Sequence, residues 1–157
     1  MIVTATWLAT AIFLGSGVEG DHQRGVLMAK GSFEVRLKPL ECSMTGEAGV
    51  VLGRMGFDKT FSGDLEGVGV GEMLSARTSV KSSAAYVAME QISGRLDGKS
   101  GSFVVQHAAT MHEGEQRQTL EVVPNSGSGE LAGIEGTMKI IIKDGLHFYE
   151  MHYRLPQ

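Results

Sequence analysis

Three side chains far apart in the chain could act together on a single proton, namely Glu72, Glu90 and His107. Each stands in a run with apolar residues at every second position, which puts it on a sheet face rather than in a loop. Two carboxylates brought together in an apolar setting resist ionising at once, so one of them holds a proton. A neighbouring imidazole can exchange that proton, which makes an acid and a base near neutral pH. The row needs three turns. A two-residue turn at Gly63-Asp64 sets Met55 against Glu72, Phe57 against Val70 and Phe61 against Glu66, with Lys59 on the face of Phe57. A loop centred on Lys81 then sets Glu72 against Glu90, and a turn centred on Gly98-Lys99 sets Glu90 against His107. Cross-strand neighbours lie about 4.5–5.5 Å apart at Cβ, close enough for proton exchange. The competing account is structural: the carboxylates accept hydrogen bonds from a core tyrosine or from Lys59 and hold the register.

The elements that must carry these groups read as strands. In "SFEVRLK" (32–38), Phe33, Val35 and Leu37 alternate with Glu34, Arg36 and Lys38. Further strands are expected over 54–63, 65–77, 84–93, 101–112, 116–123, 137–143 and 146–155. In 65–77, Val68, Val70 and Leu74 take the face assigned to the core, and Gly67, Gly69 and Gly71 take the other. Asp144-Gly145 is the strongest hairpin signal. It pairs Ile140 with Tyr149, Ile142 with His147 and Met138 with Met151, turning His147, Tyr149, Met151 and Tyr153 inward. Lys59 and Tyr86 complete the expected cavity lining, while Phe148, Glu150 and His152 point outward. "PNSGSGELAGIEG" (124–136) mixes turn residues with Leu131 and Ile134, which predicts a tight corner before the seventh strand. Eight antiparallel strands predict an all-β protein, a closed barrel whose interior holds packed side chains or one small ligand.

Composition narrows the function. Of 157 residues 22 are glycine, and the net charge is −4 with no basic stripe, which argues against nucleic acid. Cys42 stands alone, so neither a disulfide framework nor a zinc site is expected. His112, His147 and His152 lack ligand spacing, and no nucleophile elbow, P-loop or dinucleotide fingerprint occurs. No cofactor and no metal are expected. "MIVTATWLATAIFLG" is apolar but short for a bilayer. Residues 1–27 are read either as a signal-like leader or as the product of a misassigned start, with translation from Met28. The second reading places the protein in the cytoplasm and the first makes it secreted. Both leave 28–157 as one barrel domain with no membrane partner.

"TFSGDLEG" (60–67), "GRLDGKSGSFVVQH" (94–107) and "VVPNSGSGELAGIEG" (122–136) together resemble a bacterial family of small uncharacterised proteins with an allene-oxide-cyclase-like barrel. The last motif is similar, more distantly, to a corner of plant allene oxide cyclases and dirigent proteins. The resemblance covers about residues 30–156 and implies an eight-stranded barrel, associated as dimers or trimers, with no established reaction. Three functions stay open. One is an isomerase or cyclase of a small hydrophobic molecule, with Glu72, Glu90 and His107 handling a proton. Another is a carrier in which the same groups orient the ligand. The last is a structural oligomer with a filled interior.

Overall fold

A computed structural model describes residues 25–156. The leader expected over 1–27 lies outside them except for its last three residues, of which Leu27 already begins the first strand. The strands are β1 (Leu27–Leu40), β2 (Val51–Gly63), β3 (Leu65–Arg77), β4 (Ala84–Leu96), β5 (Lys99–His112), β6 (Glu115–Val122), a two-residue β7 (Ser128–Gly129), β8 (Glu135–Lys143) and β9 (Leu146–Arg154). Each long strand pairs antiparallel with the next, β6 passes to β8, and β9 returns to β1. The result is a closed eight-stranded meander, as expected, with β7 added along the edge of β5.

Turn chemistry sets the hairpins. Asp97-Gly98, Glu113-Gly114 and Asp144-Gly145 have positive φ at both residues, the geometry whose twist matches the flanking strands. The β8–β9 pairs are those predicted: Met138 with Met151, Ile140 with Tyr149, Ile142 with His147. The β2–β3 register departs by one residue, because only Asp64 separates the strands and Phe57 faces Gly71 rather than Val70. Asp64 is pinned there: Lys30 N donates to its carboxylate at 2.8 Å, and its carbonyl accepts from Asp97 N at 2.8 Å.

That single step turns β3 over. Gly67, Gly69 and Gly71 face the interior, and Val68, Val70 and Leu74 stand outside, where Val70 is 55% exposed. Together with Val87 and Met89 they make the outer wall apolar. An open trough of about 600 Å³ crosses this wall, lined by Glu72, Leu74, Val87, Met89, Ala108 and Thr119 among others.

The interior has two unlike ends. At one, Leu65, Leu96, Phe103, Tyr149 and Tyr153 are buried together, and the 124–136 corner folds Leu131 and Ile134 in as a plug. The corner is tied to β5 by Glu130, whose carboxylate accepts from Ser100 N and whose N–H donates to Ser100 O, both at 2.8 Å. At the other end, inward-side residues reach water: Leu37 is 52% and Ile142 59% exposed. Strands β6 and β8 pair only at Leu120–Met138 and Glu121–Thr137, then part. Beyond that point the Gln118 amide spans the seam, donating to Ile140 O at 2.8 Å and accepting from Ile140 N at 3.0 Å.

Candidate functional site

Between the packed end and the open end lies a layer of charge. Among the described residues, the buried polar ones are Lys59 on β2, Glu90 on β4 and His107 on β5, with Glu90 fully enclosed. Lys59 Nζ donates to Glu90 Oε2 at 2.7 Å. His107 Nε2 stands 3.0 Å from the same oxygen, yet its direction does not make a hydrogen bond. Glu90 Oε1 has no hydrogen-bond partner either.

Glycines on β3 make the room. A Cβ at Gly69 would fall on Glu90 Oε1 and come within 3.0 Å of Phe61, and one at Gly71 would strike the Phe57 ring. The alternate glycines are therefore a hollow cut in the wall to receive the carboxylate and two aromatic rings. Lys59 fills the centre. Its Nζ lies 4.7 Å from the Phe33 ring centroid, 5.2 Å from Phe57 and 5.7 Å from Phe61. Three π-faces and one carboxylate thus take the place of water around the ammonium.

Of the three residues predicted to form a row, two meet. Glu90 and His107 share the inner face, although the β4–β5 pairing sets Glu90 against Val105 and Ala88 against His107. The turn is centred two positions away in register from its expected place, an even shift that preserves the face and leaves the two side chains diagonal. Glu72 does not join them. It pairs with Met89 on the outer face and takes two hydrogen bonds from Arg54, at 2.6 and 3.0 Å, with its side chain 58% exposed. The one-residue error at Asp64 sent it out. A second odd error, in the β3–β4 loop, cancelled the first for Glu90, whose neighbour there is Gly71. Glu90 therefore meets a cation where a second carboxylate was expected.

The predicted lining residues divide between the two ends. Tyr86 lies on the inner side toward the open end, half-buried; burial raises its hydroxyl above the usual phenol range, and the Glu90 charge raises it further. His147 is half-buried, with its ring 5.2 Å from that of Phe33. Tyr149 and Tyr153 belong to the packed end. Tyr149 Oη accepts from Leu65 N at 2.8 Å, and the Tyr153 hydroxyl donates to the Asp97 carboxylate. Burial first, and the acceptor Asp97 second, push the Tyr153 phenol far up. The sequence reading missed the aromatic cage around Lys59 and the Gln118 bridge. Phe33, Phe57 and Phe61 carried a signal, since all share odd-numbered inward positions beside Lys59; a side chain spanning parted strands leaves none.

Among the described residues, no group of three or more His, Cys, Asp or Glu side chains is placed to hold a metal ion. No helix among them is long and apolar enough to cross a membrane. A family model described as a protein of unknown function, DUF3224, matches residues 29–153. Curated proteins give no match. The barrel is similar to the crystal structure of a protein with unknown function from the DUF3224 family of Shewanella oneidensis MR-1. The two share 52% identity over 85% of this chain and 99% of that one, with a TM-score of 0.82. The chain belongs to the DUF3224 family.

Proposed function

We propose that this protein is a small-molecule-binding barrel whose ligand enters at the open end and meets Glu90, His107 and Lys59 at its floor. One observation carries the reading: two fully or nearly buried polar atoms, Glu90 Oε1 and His107 Nε2, have no hydrogen-bond partner. An ion pair kept only to lock strands has its remaining valences filled, because each buried polar atom left open costs about 1–3 kcal/mol. The surroundings select an apolar guest. Leu37, Met111 and Ile142 are exposed on the inward side of the open end, and Phe57, Ala88 and Ala109 are buried apart from the main core cluster.

Isomerisation or cyclisation of that apolar guest is the reaction this reading admits, since it needs only a proton moved within the site. Glu90 and His107 are then the groups that move the proton, without Glu72. Native mass spectrometry of the purified protein, combined with titration of medium-chain alcohols and ketones, tests the binding. We expect saturable binding, weakened roughly fivefold by His107→Leu as one hydrogen bond of about 1 kcal/mol is lost. Equal affinity in the folded variant, or no binding at all, removes the reading.

A further inference from the structure

Lys59 is the one primary amine of the charged layer, and its surroundings suit a covalent step. We infer that Lys59 captures apolar aldehydes or ketones as an imine, an inference that rests on the binding reading above and specifies its ligand class. An ammonium must lose a proton before it can attack a carbonyl. The Glu90 oxygen that receives this proton is already hydrogen-bonded to Nζ at 2.7 Å. His107 Nε2, 3.0 Å from that oxygen and without a hydrogen bond of its own, is placed to pass a second proton.

The step balances without a co-reactant. Glu90 takes one proton from Nζ, and the nitrogen lone pair forms the C–N bond while the carbonyl π pair moves to oxygen. His107 carries the next proton from nitrogen to that oxygen, giving the carbinolamine. Glu90 then returns its proton as the C–O bond breaks, water leaves, and the nitrogen lone pair closes the C=N bond. The product is an iminium of the same charge as the starting ammonium, so it inherits the ion pair with Glu90. The three rings that face the ammonium at 4.7–5.7 Å face the iminium as well. Burial also keeps out the water that would hydrolyse it, since Lys59 is only 6% exposed. The alkyl part of the guest lies outward, toward Leu37, Met111 and Ile142.

The test treats the folded wild-type protein with one equivalent of octanal and cyanoborohydride near pH 7, then maps the alkylated lysines. Lys59 should be labelled about tenfold faster than the exposed Lys99 and Lys143, through proximity and proton transfer. Excess octan-1-ol should slow labelling at Lys59 alone. His107→Leu, checked for an unchanged melting profile, should bind octan-1-ol about fivefold more weakly and, compared at equal occupancy, still lose most of the labelling rate at Lys59. If Lys59 reacts no faster than Lys99 while octanol still raises the melting temperature, covalent capture is wrong and binding survives. If octanol does not bind and Lys59 stays unlabelled, both readings fall together.

Discussion

Lys59 and Glu90 neutralise one another where neither reaches water, so removing either partner strands the other. Lys59→Met should cost about 3–5 kcal/mol in urea unfolding, because it leaves the Glu90 carboxylate buried without its cation. The double variant Lys59→Met/Glu90→Leu should recover most of that loss, as it removes both charges and keeps apolar volume. Arg54→Ala, which breaks the exposed pair with Glu72, should cost under about 1 kcal/mol. Equal costs at the inner and outer pairs would contradict the placement of the two glutamates. Their difference was not legible from residue type, since each sits in an alternating run. It depends on whether one or two residues turn at Asp64, and a side chain changes face with every single step. Lys59 was legible because it alternates in step with Phe57 and Phe61, and His107 because it alternates in step with Phe103 and Val105, all of them buried.

On the scale of the strand, β3 shows why hydrophobicity alone misleads. Its valines look like the core face, yet the interior receives its volume from neighbouring strands and needs empty space from this one. Gly69→Ala should therefore cost about 1–3 kcal/mol, by forcing Glu90 and Phe61 from their positions. It should also lower octanol affinity. Val70→Ala, on the outer face, should stay within about 0.5 kcal/mol of wild type. A larger effect at Val70 than at Gly69 would mean that β3 is turned the other way. The registers at Asp64, at the β3–β4 loop and at Asp97-Gly98 slipped by one or two residues. The order of the long strands and the registers at Glu113-Gly114 and Asp144-Gly145 were legible, since such turns and the two-residue period act locally. The seam between β6 and β8 was not, for it arises where two strands diverge in space. Gln118→Leu removes both hydrogen bonds across it, and amide exchange at Ile140 should accelerate while that at Val105 on the closed wall stays slow. Unchanged exchange at Ile140 would mean that Gln118 does not close the seam.

Taken as a whole, the barrel is a closed ring of strands, plugged at one end by Leu131 and Ile134 and held there by tyrosines rather than by ion pairs. This division gives its stability a particular dependence on pH. Tyr149 and Tyr153 both have raised phenols, from burial first and from the Asp64 and Asp97 charges in addition. Tyr86, toward the open end, is raised by burial and by Glu90. In the unfolded chain all three titrate near 10.0. Below that pH the phenols are protonated in both states, and their contribution is fully present. Above it the unfolded chain gives up protons that the folded barrel retains, so stability falls as pH rises. The urea midpoint should be level between pH 7 and about 9 as far as these groups are concerned, then decline steeply from about pH 10. Tyr153→Phe keeps the ring and deletes the proton. It should lower the midpoint at neutral pH, through loss of the bond to Asp97, and flatten the alkaline decline. A variant that declines as steeply as wild type would show that the packed end is not what alkali opens.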